Sequence, residues 1–343
     1  MHPSRTLLIY LFFLISLSIT SCSDNNRVDV SQIELEVRVE RFDQSLSSLT
    51  SHNLAAQAPA LKQQYGIFYE DFIEKMLGIG LAGDSSYYKN FRTVLTDPAY
   101  LALKAEVATV YPDLQKTDGE LTEAFKHVRY YYPKQEIPRL ISFFSGFAYQ
   151  IIIGDNYIGI GLDMFLGANS KFYPALRETI PAYLSRRYTP ENITPRVIEA
   201  FEREELFPER DEDRSLLAKM VYNGKILYCM NAIMPDASDS LIIGYTAKQL
   251  DWCKDHEANI WAYFLQENLL YESDYMKIQK YLTEAPFTPG IGDQNDSAPK
   301  LGIWTGWQIV KKYMERNPEV TLQQLMKNTN FQDILNKSKY KPK

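Results

Sequence analysis

The N-terminal segment constrains this chain most, because it decides which residues can belong to the folded protein. An apolar run over residues 7–17 follows Arg5 and leads into Ile19-Thr20-Ser21-Cys22. A basic start, a short apolar core and small residues before a cysteine are typical of a secretory signal that ends in a lipobox. The run is shorter than the ~20 residues that a membrane-spanning helix needs, so the pattern favours a cleaved signal over a transmembrane anchor.

Cleavage is expected just before Cys22, which makes residues 1–21 a signal peptide and residues 22–30 a lipidated tether. The Cys22 thiol would carry diacylglycerol, and the new amino group would carry an acyl chain such as palmitate. Several acyl chains together hold a protein on a membrane stably. The sequence therefore predicts a bacterial lipoprotein of the cell envelope that is anchored to a membrane and does not span it.

The charge balance of the chain is acidic, with 37 Lys and Arg residues against 43 Asp and Glu residues and a formal net charge of −6. Nucleic acids are bound through clustered Lys and Arg, so this balance argues against a nucleic-acid partner. No Gly/Ser-rich or Pro-rich linker interrupts the chain after residue 27. We expect one domain over residues 31–343, with a helical lobe at 31–135 and a lobe of sheet and helices at 136–343.

The spacing of apolar residues predicts an α+β fold that is mostly helical, with a small central β-sheet. Helical spacing extends from Phe42 to about His127. Runs of aromatic and β-branched residues then predict strands, with a turn at Gly154-Asp155-Asn156 before the last of them. The predicted strands cover residues 140–144, 149–153 and 157–160.

Helical patterns return after Leu162, and several have clear ends. Thr194 followed by Pro195 is typical of an N-cap and the first helical position. Thr246 and Gln249 match a capping box ahead of a helix that is expected over residues 250–271. A last helix is expected over residues 304–314.

Three segments combine apolar strands or helices with glycine-bearing turns. They are Ser-Phe-Phe-Ser-Gly-Phe at 142–147, Tyr-Ile-Gly-Ile-Gly-Leu-Asp-Met-Phe-Leu-Gly at 157–167 and Lys-Leu-Gly-Ile-Trp-Thr-Gly-Trp-Gln-Ile-Val at 300–310. Together and in this order, they resemble the GldB family of gliding-motility lipoproteins of Bacteroidetes. The resemblance extends over nearly the whole chain, the lipobox included. It implies a lipoprotein that faces the periplasm, supports gliding and is associated with the secretion machinery that serves gliding.

The same pattern is similar to a family of predicted zinc-dependent proteases, which implies a zincin-like fold. Zincins need His-Glu-x-x-His on one helix to hold zinc and to supply a general base. The sequence lacks this motif, and His256-Glu257 is only a half match. We therefore expect neither a bound metal nor a cofactor nor catalytic residues. A vestigial cleft is expected at four residues, which are Glu199, Glu202, Asn223 and Gly224.

These patterns favour a non-catalytic protein that acts as a scaffold or binding protein for envelope motility and secretion proteins. One alternative is a metallopeptidase with unusual ligands, and another is a periplasmic protein that binds glycans or peptides. Trp304 and Trp307 could form a binding platform, but a core position is favoured because they share one helix face. Cys229 and Cys253 are predicted either to form a disulfide or to be buried free thiols.

Two Asp-Ser dipeptides resemble sites at which Bacteroidetes O-glycosylate envelope proteins. Ser297 lies in a loop rich in Gly, Pro and Asp, and Ser240 is a weaker candidate. The alternative at each position is an ordinary Asp-Ser turn, whose side chains bond to nearby backbone.

Overall fold

The computed structural model describes residues 28–210, 212–293 and 295–343. The signal peptide at 1–21, Cys22 and most of the tether therefore lie outside the described residues. Residues Ile33–Lys343 form one compact unit. No helix in the described ranges is both long enough and apolar enough to span a membrane.

The first part of the chain is helical, as predicted. A two-residue strand, β1 (Val39–Glu40), comes before six helices. These are α1 (Phe42–Ser47), α2 (Leu54–Tyr65), α3 (Ile67–Asp71), α4 (Tyr87–Thr96), α5 (Pro98–Val110) and α6 (Gln115–Tyr131). A π-helical turn, Phe72–Met76, continues α3. Their buried faces form an aromatic core around Phe42, whose ring packs edge-on against Tyr65, Phe68 and Phe72.

A small mixed sheet lies in the middle of the chain. It contains β1, β2 (Arg139–Phe143), β3 (Ile151–Gly154) and β4 (Tyr157–Gly161), in the order β1-β2-β4-β3. The pairs β1/β2 and β2/β4 are parallel, and β3 pairs antiparallel with β4 through the predicted turn, where Asn156 has φ +60°. The sheet predicted from the sequence is confirmed, but β1 was missed because two residues carry no periodicity.

Helices fill the rest of the chain. They are α7 (Ala182–Ser185), α8 (Ile193–Phe201), α9 (Leu216–Ile233), α10 (Asp239–Ile243), α11 (Ala247–Asp255), α12 (Glu257–Gln266), α13 (Tyr275–Ile278), α14 (Leu301–Arg316), α15 (Leu322–Lys327) and α16 (Phe331–Ser338). Short 3₁₀ turns connect several of them, and a π-helical turn, Glu202–Leu206, continues α8. The predicted fold class, a mostly helical α+β fold with a small sheet, is confirmed.

Two helix boundaries differ from their sequence predictions. The helix expected over residues 250–271 is broken at His256, whose ring stacks on Trp252 and whose Nδ1 lies 2.8 Å from the Trp252 carbonyl oxygen. The capping box of Thr246 and Gln249 at its start is confirmed. Thr194 is not an N-cap, because α8 begins at Ile193 and the Thr194 hydroxyl donates to Glu120 instead.

Helices α9 and α14 pack closely together because glycines, which have no side chain, lie at their contact. A Cβ atom on Gly224 would lie 2.3 Å from the carbonyl oxygen of Gly306, and one on Gly306 would lie 1.8 Å from that of Met220. Gly224 and Gly306 therefore allow the two helix backbones to come into direct contact. Trp304 and Trp307 of α14 are buried, which confirms their core position.

Candidate functional site

A chain of charged side chains runs along α8 and its π-helical continuation. Arg196 Nη1 donates to Glu199 Oε2 at 2.6 Å, and Arg203 Nε donates to Glu199 Oε1 at 3.1 Å. Arg203 Nη2 also donates to Asn223 Oδ1 at 2.9 Å, which connects α8 to α9. Because residues three and four apart share a helix face, this local spacing places both guanidinium groups on one carboxylate.

Glu199 is ionised and fully paired. Burial alone would raise the pKa of its carboxyl, but Arg196 and Arg203 next to it, with Lys300 and Arg187 further away, outweigh burial and hold that pKa well below its ordinary value. The side chain is 19% exposed. The negative charge of Glu199 is thus balanced by its ion pairs with Arg196 and Arg203.

A second buried ion cluster lies behind the first. Glu284 Oε1 accepts from Arg187 Nη1 at 2.7 Å and from Lys300 Nζ at 2.5 Å. Burial lowers the pKa of Lys300 to about 8, although Glu284 opposes that shift. Gly244 makes room for the guanidinium group, since a Cβ there would lie 2.1 Å from Arg187 Cζ. Sequence reasoning missed this cluster, because its members come from distant segments and no local spacing connects them.

An open groove of about 530 Å³ lies between β3 and α8. Its lining comes from the end of the sheet, from α8 and from the π-helical turn: Gln150, Ile151, Ile153, Arg196, Glu199, Ala200, Arg203 and Glu204. Arg196 Nε donates to Gln150 Oε1 at 3.0 Å and so ties the helix to the residue that precedes β3. The groove therefore combines two arginines with the outer edge of the sheet.

The outer edge of β3 is open along the groove. β3 is the terminal strand of the sheet, and Gly161 N donates to Gln150 O at 2.9 Å. In an antiparallel pair, successive residues direct their N–H and C=O groups alternately toward and away from the partner strand. Gln150 and Ile152 therefore face β4, and Ile151 and Ile153 present their backbone groups to the groove.

Glu202 does not belong to the groove, although the sequence placed it in the same vestigial cleft. Its side chain is fully buried, and neither carboxylate oxygen has a hydrogen-bond partner of standard geometry within the described ranges. Burial raises the pKa of the Glu202 carboxyl well above its ordinary value, and the neighbouring Cys229 thiol opposes this only in part. Of the four predicted cleft residues, Glu199 and Asn223 are joined through Arg203, whereas Glu202 and Gly224 lie in the core.

The chain matches the family model of gliding motility protein GldB over residues 23–342. It belongs to the GldB family. No curated protein and no solved structure matches the chain. Family membership confirms the resemblance read from the sequence, gives the chain a role in gliding motility and supports its assignment as an envelope lipoprotein. The resemblance to zincins stays a prediction.

The three segments that carry the GldB resemblance contribute none of the residues that line the groove. Residues 142–147 include the end of β2, and residues 157–167 contain β4, the partner of β3. Residues 300–310 begin with Lys300 of the buried ion cluster and continue into α14, where Gly306 meets α9. The family pattern therefore lies in the elements behind the groove, and the strand and helix that form the groove lie outside it.

Within the part of the chain that the structure describes, the cysteines and the buried histidine, which could act as metal ligands or nucleophiles, do not form a site. Cys229 and Cys253 are both buried free thiols, so the disulfide alternative is wrong. Among the described residues, no cluster of three or more His, Cys, Asp and Glu side chains has the arrangement to hold a metal ion. His127 is buried, and its Nδ1 lies 2.9 Å from the Glu123 carbonyl oxygen.

The two candidate glycosylation serines differ in environment. Ser297 is buried, and its hydroxyl donates to the Thr288 carbonyl while accepting from the Thr288 N–H, both at 3.1 Å. This pairing favours the alternative of a structural Asp-Ser turn, because the folded chain does not present the hydroxyl to a modifying enzyme. Ser240 is half-buried in the first turn of α10, and its modification stays a prediction.

Proposed function

We propose that this GldB-family chain is a non-catalytic binding lipoprotein that faces the periplasm and holds a protein partner of the gliding and associated secretion machinery. The partner docks as an extended segment in the groove between β3 and α8. The observation that carries the proposal is the open edge of β3, with the backbone groups of Ile151 and Ile153 directed into the groove. Addition of a strand to such an edge is a recurring way to bind peptides, because backbone hydrogen bonds supply affinity.

The charges in the groove support binding over catalysis. A general base is most effective when its pKa lies near the working pH. Arg196 and Arg203 hold the pKa of Glu199 far below that range. The other predicted carboxyl, that of Glu202, is buried away from the groove. Neither carboxyl is placed to activate water for a substrate in the groove.

Two alternatives have distinct requirements. A metallopeptidase with unusual ligands requires a metal, and metal binding would couple to folding stability. We expect purified protein to hold no stoichiometric zinc and a chelator to leave its melting temperature unchanged; one zinc per chain after gel filtration would favour the peptidase. A glycan platform on Trp304 and Trp307 is disfavoured, because both rings are buried.

The groove proposal is tested in cells by blocking the edge of β3. A strain that lacks the gene is complemented with the wild-type chain or with Ile153→Pro, which removes a groove-facing N–H group without removing a bond to β4. We expect the variant to accumulate as a lipidated protein, while colony spreading and the secreted proteome resemble those of the deletion strain. Normal spreading by Ile153→Pro would contradict the proposal.

A further inference from the structure

We infer that the segment bound along β3 is acidic and places a carboxylate on Arg196, with Arg203 beside it. This inference rests on the proposed function and specifies the chemistry of the partner. The carboxylate lies at the Ile151 end of the paired segment, because Arg196 is bonded to Gln150, the residue just before β3.

The charge in and behind the groove has a small positive excess, although the chain as a whole is acidic. Arg196 and Arg203 flank Glu199 in the groove, and Arg187 and Lys300 share Glu284 outside its lining. Arg187 and Lys300 also act on Glu199 electrostatically, so four cations and two carboxylates contribute to the local charge. Glu204 adds one exposed carboxylate at the rim of the groove. A concave surface with an excess of one sign focuses its field and attracts ligands of the opposite sign.

Arg196 also keeps donor capacity for a ligand. Its Nε is used by Gln150 and its Nη1 by Glu199, whereas its Nη2 has no hydrogen-bond partner within the described ranges. The side chain is 34% exposed and lines the groove. Arginine is suited to planar carboxylates, and a bond between two charged groups is stronger than a neutral one.

The occupant that fits these features is an extended peptide with a carboxylate near one end of the paired stretch. Ile151 and Ile153 offer backbone donors and acceptors that recognise any extended peptide, and the arginines discriminate by charge. The carboxylate comes either from an Asp or Glu side chain or from the C-terminus of the partner. These two sources share one chemistry and are separated by the probes below.

The experiment measures peptide binding to the full chain, purified in detergent, by fluorescence anisotropy. The probes are labelled, amidated octapeptides of alternating Thr and Val in which one residue near one end is Glu, Gln or Lys. A further Gln peptide has a free C-terminal carboxylate. We expect the Glu peptide to bind about tenfold more tightly than the Lys peptide, with the Gln peptide between them. Tighter binding of the free-carboxylate peptide than of the Glu peptide would identify a C-terminus as the natural group.

Variants assign the preference to the groove. Arg196→Gln should reduce the Glu-over-Lys preference to about twofold, and Glu204→Gln, at an exposed position, should strengthen binding of the Glu peptide by about threefold. Ile153→Pro should abolish binding of all the peptides. The matched control is Lys312→Gln on α14, whose partner is Glu315 and which should change nothing. Melting temperatures check that each variant is folded.

The outcomes separate this inference from the function on which it rests. Equal affinity for the Glu and Lys peptides, or binding of none of them, would overturn the inference. If Ile153→Pro still abolished colony spreading, the groove would remain the binding site for a partner of different chemistry. Normal spreading by that variant would overturn the proposed function as well.

Discussion

At Gly224, the absence of a side chain decides how closely α9 approaches α14. The position is buried, and the atoms nearest to an added Cβ belong to the backbone of Gly306 and Trp307. A flexible side chain can move aside at small cost, but a helix backbone cannot. The glycine read from the sequence as the remnant of a lost ligand site is thus a packing requirement of the helix pair.

Gly224→Ala should lower the free energy of unfolding by about 1–3 kcal/mol, because the added methyl group forces the helices apart. The measurement is urea unfolding followed by circular dichroism. Gly119→Ala is the matched control: this glycine is exposed in α6, and no atom lies within 4 Å of an added Cβ. The control should be neutral or stabilising by up to about 1 kcal/mol. Equal losses in both variants would contradict the packing argument.

Glu202 is a buried acid whose position is expected to cost stability when it ionises. Its folded pKa lies above the ordinary value of 4.5, so the folded state binds the proton more tightly than the unfolded state. Below about pH 4.5 the carboxyl is protonated in both states and does not reduce the free energy of unfolding. As the pH rises from there toward the folded pKa, the unfolded state loses the proton first, and the free energy of unfolding falls.

Glu202→Gln should therefore become more stable relative to wild type as the pH rises from about 4 to about 8. The measurement is the difference in free energy of unfolding between the two proteins across that range. Glu204→Gln, at an exposed neighbour on the same π-helical turn, serves as the control and should show no such trend. A constant difference between wild type and Glu202→Gln would show that folding does not raise the pKa of this carboxyl.

At the scale of elements, β3 makes backbone hydrogen bonds to a neighbouring strand of the described chain along one edge only. Its inner edge pairs with β4 through a tight turn, and its outer edge is open to the groove. Natural sheets usually protect such an edge, since an open edge can pair with another chain. In this chain the edge is short and faces two arginines, which favours a selective partner over uncontrolled association.

Proline substitutions should distinguish the two edges of β3. Ile152→Pro removes an N–H group that faces β4 and should cost about 3 kcal/mol or more. Ile153→Pro removes one that faces the groove and should cost less than Ile152→Pro, because no bond to β4 is lost and only the partial packing of the Ile153 side chain is removed. Thermal unfolding measures both. A larger loss for Ile153→Pro would show that the strand alternation is reversed.

At the scale of the whole molecule, the folded unit of residues 33–343 combines a helical lobe, a sheet and a second set of helices around connected apolar side chains. Membership of the GldB family supports an envelope lipoprotein. Lipid attachment at Cys22 stays a prediction of the sequence, and the location of the proposed groove would depend on it.

Cys22→Ser should prevent lipid attachment, because the hydroxyl does not replace the thiol as the lipid acceptor. The protein should then remain unprocessed or leave the membrane fraction. Labelling of cells with a fatty-acid analogue, followed by fractionation, measures both effects. Cys229→Ser is the control, since that thiol is buried in α9 and should not affect labelling. Label retained by Cys22→Ser would contradict the lipobox assignment.

The sequence by itself determined the features that arise from neighbouring residues. The turn before β4, the capping box at Thr246 and the helical faces all depend on spacings of a few residues, and the lipobox prediction rests on the same kind of spacing. The family resemblance followed from three such segments. Glu199, Glu202, Asn223 and Gly224 were grouped as a vestigial cleft only through the similarity to zinc-dependent proteases.

Tertiary structure decided which of these residues meet. β1 exists because Val39 and Glu40 pair with β2, about a hundred positions away, and no local pattern marks such a short strand. Arg203 connects Glu199 to Asn223, whereas Glu202, one position earlier, turns into the core. Arg187, Glu284 and Lys300 come together only when the segment after α7 packs against the loop before α14, which ends at Lys300. Long-range contacts form when many buried surfaces are satisfied together, so no short stretch of sequence records them.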